Sequence, residues 1–296
     1  MADYYHFIES ESELKWFYDH CVELLEPNES YMFVMSARHK NLTAEEKEEY
    51  DLGRSEMLSP EIIYCHENIP LTFEQWAKGI YRYECNKKAL TTRNGKPFPE
   101  KALVLYYYIN PCDEMKVAKD ITNYIGIHNQ ELVDSALKGS SDGICQSMIK
   151  LKYSLSHMKR CHATNTSRKV WLDFDMDVKK SYREGPAKDI ILSSLRKNLE
   201  KFFGKGNYVI VKTTGGYHSL VRKEALTFNP RDFIDAVLNT NVKFEDPISG
   251  IPDTTYPLEE LVDEFIKNDN GFIPTPGTLQ YGNLVTVVNK GDFEEK

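Results

Sequence analysis

The stretch that decides the fold reads Lys169-Val-Trp-Leu-Asp-Phe-Asp-Met-Asp-Val-Lys179, an apolar run that leads into aspartates at every second position. In an extended strand successive side chains point to opposite faces, so Asp173, Asp175 and Asp177 line one face and apolar side chains line the other. Carboxylates this close repel one another, and a divalent cation is the simplest way to neutralise them. The pattern therefore predicts a strand with one core face and one cation-binding face.

The composition is typical of a folded protein, and the net charge does not by itself indicate a nucleic-acid partner. Its 296 residues are 41% hydrophobic with a formal net charge of -8, so a nucleic-acid partner would need a local basic surface. The longest apolar run, 102–109, is far too short to span a bilayer, and no charged segment followed by an apolar run opens the chain. Six cysteines without a Cys-x-x-Cys pair favour reduced thiols. We expect a soluble cytoplasmic protein with no membrane partner.

Periodicity and turn signals predict mixed helices and strands on both sides of the aspartates. In the first half we predict helices from Ser10 and over 113–137, strands at 31–35 and 102–109, and loops over 50–70. In the second half we predict a helix after Gly185-Pro186, strands at 208–212 and 219–222, a helix over 257–267 and a strand over 284–288. The glycine- and serine-rich linker 138–143 is a candidate hinge. It divides the chain into an N-terminal α/β module, 1–140, and a second module, 141–296.

A basic window precedes the aspartate strand. Between residues 144 and 170 the cations occur without any Asp or Glu, and we predict that they bind the phosphates of a nucleic-acid template. The residues concerned are Lys150, Lys152, Lys159, Arg160 and Arg168. An equally good interpretation is a solvated helix face followed by a loop.

The same window holds a second candidate, a structural zinc site. Its ligands would be Cys145, His157, Cys161 and His162. Their spacing fits no standard zinc pattern, so unliganded side chains are the favoured interpretation.

Alternating aspartates suit metal-dependent chemistry. Two carboxylates separated by one residue on a strand face can hold two divalent ions roughly 3.5 to 4 Å apart, which stabilises the attacking and leaving oxygens in phosphoryl or nucleotidyl transfer. Carboxylate ligands favour Mg²⁺ or Mn²⁺. A calcium loop would need glycine at its sixth position and a distal Glu, and a plain solvated strand edge leaves the apolar frame unexplained.

A glycine turn follows, Thr213-Thr-Gly-Gly-Tyr-His218, between the two strands predicted after the helix. Glycines let backbone N–H groups approach a polyphosphate, and Lys212, Thr213, Thr214 and His218 offer donors close by. A hairpin with a satisfied histidine is the simpler alternative. The aspartate strand upstream favours the first interpretation, because metal ions and phosphate donors are the two halves of a nucleoside triphosphate site.

Together these motifs resemble the archaeo-eukaryotic primase superfamily. Val170-Trp-Leu-Asp-Phe-Asp175 corresponds to its apolar strand ending in Asp-x-Asp, Lys212–His218 to its strand-turn-strand motif, and Pro276-Gly-Thr-Leu-Gln280 to its Pro-Gly-Ser-Leu-His-like segment. The order and spacing agree over roughly residues 165–285. The resemblance implies a mixed α/β (α+β) fold, with a primase-like catalytic core whose C-terminal sheet is similar to an RNA-recognition motif.

The resemblance further implies a template-dependent nucleotidyltransferase, a DNA primase or primase-polymerase of a phage or plasmid. Its catalytic residues would be Asp173, Asp175 and His218, with two Mg²⁺ or Mn²⁺ ions on the aspartates. Its nucleotide-binding residues would be Lys212, Thr213, Thr214, Gly215, Gly216, His218, Arg222, Thr278 and Gln280. The partners would be single-stranded DNA, nucleoside triphosphates and a separate helicase, since the chain has no GxxxxGK[ST] motif.

Three features depart from the family pattern. An arginine often found in the glycine-turn motif is absent, so Lys212 or Arg222 would supply the positive charge, and Gln280 replaces a final histidine. The third metal-binding acid is open among Asp253, Asp263, Glu264 and Asp269, of which we favour Asp263 or Asp269, with Asp177 as an added ligand. The alternative is a catalytically silent relative that binds single-stranded DNA as an initiation or accessory subunit.

Two weaker candidates lie in the first module. Arg38, His39 and Lys40 follow the first predicted strand and could contact nucleotide or template, although a surface loop is the stronger interpretation. The tyrosines at 106–108 could stack on bases, but their strand is apolar on both faces and is better explained as core.

Overall fold

The computed structural model describes residues 4–52, 56–64, 71–92, 94–152, 169–246, 248, 250–268 and 271–293, with the backbone alone for 41, 56–64 and 149–152. Within these ranges the α-helices are α1 (Glu11–Cys21), α2 (Ala44–Glu49), α3 (Phe73–Tyr81), α4 (Glu114–Leu137), α5 (Ser141–Lys152), α6 (Pro186–Phe203) and α7 (Pro230–Leu238). The strands are β1 (Glu29–Ala37), β2 (Glu56–Tyr64), β3 (Leu103–Tyr108), β4 (Cys112–Asp113), β5 (Trp171–Val178), β6 (Tyr208–Lys212), β7 (Gly216–Arg222), β8 (Asn241–Phe244), β9 (Thr254–Pro257), β10 (Val262–Asn268), β11 (Phe272–Pro274), β12 (Leu279–Gln280), β13 (Asn283–Leu284) and β14 (Thr286–Val287).

The aspartate stretch forms β5, as predicted. It is the second strand of an antiparallel five-stranded sheet with the order β10-β5-β7-β6-β14. The apolar residues that alternate with the aspartates are buried in one cluster with α6 and α7. α6 forms because Pro186 suits its first turn and Ile191, Leu195 and Leu199 recur four residues apart on one buried face. Helices therefore cover one face of this sheet and leave the aspartates on the other.

A second antiparallel sheet, of seven strands, is built mainly from the N-terminal half. Its order is β13-β12-β3-β1-β2, with β11 beside β3 and β4 beside β1. Because β11, β12 and β13 come from the end of the chain, the second predicted module completes the sheet of the first. Val209, Val211 and Leu220, which share the aspartate side of the five-stranded sheet, belong to the same buried cluster as Trp76 and Tyr107. The aspartate face therefore looks toward the N-terminal sheet.

The helix predicted over 257–267 is wrong. Residues Val262–Asn268 form β10, which pairs with β5 along its length. The register shifts between Val262 and Glu264, so Asp263 is an extra residue in a β-bulge. Val262 and Phe265 are consequently both buried although they are three residues apart. The bulge thus produced a three-residue spacing between buried residues, which in the sequence is typical of a helix.

Two other predictions need correction. The loops expected over 50–70 include β2, which pairs with β1. The strand expected over 284–288 is divided between the two sheets, because β13 pairs with β12 whereas β14 pairs with β6. The helix predicted over 113–137 is confirmed as α4, and its Asp113 cap accepts from the backbone N–H groups of residues 115 and 116.

The α+β fold class is confirmed by the antiparallel sheets and the helices that cover them. The linker 138–143 forms the turn between α4 and α5 and the first residues of α5, and the two helices pack against each other. In the part of the chain that the structure describes, no helix is long and apolar enough to cross a membrane.

Candidate functional site

The neighbouring strands set the surroundings of each aspartate on β5. Directly opposite residues of an antiparallel pair share a face, so the register places Asp173 beside Asn268 of β10, and Asp175 beside His218 of β7. It places Asp177 between Glu264 of β10 and Gly216 of β7. The three aspartates therefore have three different pairs of neighbours.

Asp173, His218 and Asn268 form what we call the closed end of this face. The Asp173 side chain is fully buried, and its carboxylate oxygens accept from His218 Nδ1 at 3.1 and 3.0 Å. Asn268 Nδ2 donates to Asp173 Oδ2 at 2.8 Å. Burial lowers the pKa of His218, but the carboxylates of Asp173 and Asp175 outweigh it and raise the pKa to about 9. The pair is therefore a buried aspartate–imidazolium ion pair at neutral pH.

Asp175 and Asp177, together with Glu264, form the open end. The Asp175 side chain is 34% exposed, and its Oδ1 lies 3.6 Å from His218 Nε2. Burial, and then the neighbouring carboxylates of Asp173, Asp177 and Glu264, raise the pKa of Asp175 to about 6 against the opposing effect of His218. Within the described chain no hydrogen bond reaches the Asp177 carboxylate. This end therefore carries negative charge that the imidazolium only partly balances, and a bound cation would stabilise it.

The acids predicted as third ligand are dispersed. Asp263 is exposed at the bulge, five residues along β10 from Asn268 and thus roughly 16 Å away from the closed end. Asp253 lies in the β8–β9 connection, where its Oδ1 is 3.3 Å from Lys243 Nζ. Asp269 lies outside the described residues. The acid that β10 places on the aspartate face is Glu264, and an amide, Asn268, stands beside Asp173.

The glycine turn is packed tightly against β5. A Cβ on Gly215 would lie 2.9 Å from Asp177 Oδ1, and a Cβ on Gly216 would lie 1.8 Å from the carbonyl oxygen of Met176. The amides of residues 213 and 216 bond within the turn. The glycines are therefore required by the close approach of β5 and the Asp177 carboxylate, and these amides already have partners.

Gln280 and the glycine turn contact each other within the protein. Gln280 Oε1 accepts from the Thr214 backbone N–H at 2.9 Å, and Thr214 Oγ1 donates to the Gln280 carbonyl at 2.9 Å. Thr213 Oγ1 bonds to the Gly216 backbone. Thr278 is buried, and its hydroxyl donates to the Thr275 carbonyl at 2.7 Å. These side chains hold the turn and the final segment in place.

The two cations expected to replace the missing arginine lie apart. Arg222 is at the far end of β7, opposite Trp171, where it stacks 4.1 Å from the Trp171 ring and pairs with Glu23. Lys212 ends β6 at the mouth of the glycine turn. Its register opposite Tyr217 places the Lys212 side chain on the helix-covered face of the sheet, across from the aspartates.

Arg38, Tyr106 and Tyr281 face the open end from the side of the N-terminal sheet, and we call this group the wall. Arg38 Nη1 donates to Tyr106 Oη at 2.5 Å. Burial raises the pKa of Tyr106, Arg38 opposes this, and Asp175 and Asp177 are among the charges that raise it further. Tyr281 lies close by. Burial raises its pKa, the nearby Arg38 guanidinium lowers it, and the Asp177 carboxylate raises it further. Arg38 Nε and Tyr281 Oη are both buried atoms that have no hydrogen-bond partner among the described residues.

The backbone of Tyr281 supports a role for this wall. Tyr281 and Gly282 form the two-residue turn between β12 and β13, with φ of 57° and 77°. A bulky side chain at positive φ is strained, and asparagine or glycine would relieve the strain. No sequence signal distinguished Tyr281, because its conformation depends on the hairpin.

The basic window and the zinc candidate cannot be placed on this site. Lys159, Arg160 and Arg168, and likewise His157, Cys161 and His162, lie outside the described residues. Lys150 and Lys152 belong to α5, but their side chains also lie outside the description. Cys145 is exposed on α5.

The open end has the side chains that a hard divalent cation prefers, but few of them. No cluster of three or more His, Cys, Asp or Glu side chains in the described ranges has the geometry to hold a metal ion. Asp175 and Asp177 have the oxygen chemistry that Mg²⁺ or Mn²⁺ prefers. Asp175 faces His218 Nε2 at 3.6 Å, and the Asp177 carboxylate accepts no hydrogen bond from the described residues. Asp173 already accepts from two donors. The open end therefore fits a hydrated cation with few protein ligands.

Comparisons with protein families, with curated proteins and with solved structures found no match to this chain.

Proposed function

We propose that this protein is a metal-dependent, template-directed nucleotidyltransferase of the primase or primase-polymerase type. The observation that carries the proposal is the open end of the aspartate face. Asp175 and Asp177 lie side by side without strong internal partners, next to the His218 imidazolium and the glycine turn. Unbalanced carboxylates next to a fixed positive charge suit a metal-bound triphosphate.

Each residue of the site has a separate role in this proposal. Asp175 and Asp177 hold the cation, with Glu264 beside them, and a bound Mg²⁺ or Mn²⁺ would neutralise charge on the phosphates during transfer. His218 directs its Nε2 toward this end and donates to a phosphate oxygen. Asp173 and Asn268 fix the imidazole ring and keep it charged. This assignment moves the metal pair two residues along the strand, from Asp173 and Asp175 to Asp175 and Asp177, because Asp173 is already occupied.

The wall of Arg38, Tyr106 and Tyr281 supplies the other side of the site. A guanidinium and two phenol hydroxyls opposite carboxylates can contact the phosphate, sugar or base of a nucleotide. The partners we propose are nucleoside triphosphates and a single-stranded DNA template, with a separate helicase in a phage or plasmid replicon. Antiparallel strands covered by helices on one face support a primase-like, RNA-recognition-type core as the finer description of the fold.

The test is primer synthesis and extension on a single-stranded template with ribo- or deoxynucleotides and Mg²⁺ or Mn²⁺. Asp175→Asn, Asp177→Asn and His218→Gln should each lower incorporation by about a hundredfold or more. Asp263→Asn is the matched control, since it removes an exposed carboxylate from the bulge and should leave the rate unchanged. Equal loss in the control, or full activity in the double Asp175→Asn/Asp177→Asn variant, would refute the assignment.

A second candidate function is supported by Asn268. The structure places this amide beside Asp173, where a third acid would complete a carboxylate cluster. That substitution favours a catalytically silent relative that binds single-stranded DNA as an initiation or accessory subunit. Template binding by fluorescence anisotropy with no incorporation under any metal or nucleotide condition would favour this function over the first.

A further inference from the structure

A small basic cleft lies on the helix side of the glycine turn. Its cavity of about 20 Å³ is lined by Val178, Arg183, Lys188, Thr213, Thr214, Gly216 and Tyr217. A volume of this size admits one water-sized group, such as a single phosphoryl oxygen, with the rest of the ligand at the mouth. The aspartates lie across the turn, since Gly215 touches Asp177 on its other side.

Arg183 is held in the cleft by the backbone of Val178. Its Nε donates to the carbonyl of this last residue of β5 at 2.6 Å. Within the described chain its Nη atoms have no hydrogen-bond partner. The guanidinium is therefore fixed in orientation and keeps donors for an anion.

Lys188 and Lys212 add two ammonium groups. Lys188 lies in the first turn of α6, whose Gly185 cap has no side-chain hydrogen bond, and a lysine there adds to the positive end of the helix dipole. Burial, and then the nearby Lys188 ammonium, lower the pKa of Lys212, while Asp189 opposes the shift. Among the described residues no carboxylate lies within ion-pairing distance of either lysine. Cations placed together in this way are unfavourable unless an anion joins them.

We propose that Arg183, Lys188 and Lys212 form a binding site for the terminal phosphates of a nucleotide polyphosphate. A terminal phosphate offers three free oxygens to this set of donors, whereas a phosphodiester offers two. The inference of an anion site rests on the cleft alone. The identification of the anion as part of a nucleotide substrate rests on the proposed function. A polyphosphate lying over the turn would reach the carboxylate-bound cation on one side and the three cations on the other.

No sequence pattern distinguished Arg183 or Lys188. Both are typical of surface charges around the start of a helix. The start of α6 lies against β7, where Tyr217 Oη donates to the Lys188 carbonyl at 3.3 Å, and Tyr217 is the strand partner of Lys212. The hydroxyls of Thr213 and Thr214 line the cleft but already donate within the protein. The cations are therefore the specific part of the site.

The test is isothermal titration calorimetry of the full chain with sodium tripolyphosphate in buffer with EDTA. Lys188→Gln and Lys212→Gln should each weaken binding by about tenfold, because each removes one charge-assisted contact. Lys197→Gln is the matched control, as it removes an exposed lysine from the same helix and should leave affinity unchanged. Circular dichroism checks that each variant is folded.

The outcomes separate this inference from the proposed function. Tripolyphosphate affinity that is unchanged in Lys188→Gln, or weakened equally in Lys197→Gln, overturns the site even if the protein incorporates nucleotides. A short oligothymidylate whose binding falls in Lys188→Gln, with tripolyphosphate binding unaffected, would assign the cleft to the nucleic-acid backbone and also overturn it. The expected tripolyphosphate result without any nucleotide incorporation would leave the anion site standing and remove the function.

Discussion

The two ends of the aspartate face carry the same residue type at the same spacing, yet they have different chemistry. At the closed end Asp173 is buried and accepts from His218 and Asn268. At the open end Asp175 and Asp177 are left with little internal compensation, and Glu264 adds a further negative charge. A repeated sequence pattern therefore defines a face, and the neighbouring strands define what each member of it does.

The difference arises from register. One strand neighbour of Asp173 is an amide that donates a hydrogen bond, whereas Asp177 lies between a carboxylate and a glycine. We infer that the closed end holds a positive charge in place and that the open end is where a cation and its phosphates bind. Four experiments test this contrast.

The largest effect should come from exchanging single aspartates for asparagine. Asp173→Asn leaves the buried imidazolium without its partner, and we expect the free energy of unfolding to fall by about 4 kcal/mol. Asp177→Asn relieves repulsion at a more exposed position and should change stability by no more than about 0.5 kcal/mol. Urea denaturation followed by circular dichroism measures both. Losses of similar size would show that the two ends are equivalent.

The next effect concerns pH. The pKa of His218 is raised from 6.5 to about 9 in the folded protein, so its stabilising contribution is complete below about pH 6.5 and disappears as the pH rises through about 9. Over that window the wild type should lose on the order of 3 kcal/mol more stability than His218→Gln. Urea denaturation at several pH values gives the two profiles. Parallel stability profiles for the two proteins would show that the pKa of His218 is not raised in the folded protein.

A smaller effect is expected at Asn268. Asn268→Ala removes one hydrogen bond to Asp173 and should cost about 1 kcal/mol. Asn268→Asp also introduces repulsion between carboxylates, and we expect a loss of about 2 kcal/mol in metal-free buffer near pH 8. Thermal unfolding compares the two variants. An Asn268→Asp protein as stable as wild type would mean that the closed end accepts a second negative charge after all.

The smallest effect is expected at Tyr281, on the wall opposite the open end. Tyr281→Phe removes a buried hydroxyl without a partner, so the free energy of unfolding should rise slightly, by about 0.5 kcal/mol. Nucleotide affinity, measured by calorimetry, should fall in the same variant. A loss of stability together with unchanged affinity would mark this hydroxyl as part of the scaffold.

Much of the fold could be predicted because its signals are local. The alternating aspartates of β5, the capped start of α1 and the proline at the start of α6 each follow from a few neighbouring residues. The prediction failed at β10, where the bulge at Asp263 placed two buried residues three apart. Pairing with β5 decided that segment, and pairing between distant strands is not visible in a local window.

The sequence by itself determined that three carboxylates share one face and that a histidine and a glycine turn belong to the next strands. The tertiary structure alone decided that Asp173 is occupied, that Asn268 lies beside Asp173 and Glu264 beside Asp177, and that Arg183 and Lys188 line one cleft next to Lys212. The physical reason is that the identity of a strand residue fixes its charge, while register and packing fix which partner that charge meets. The same residue type can therefore pair with a histidine at one end of a strand and be available to a cation at the other.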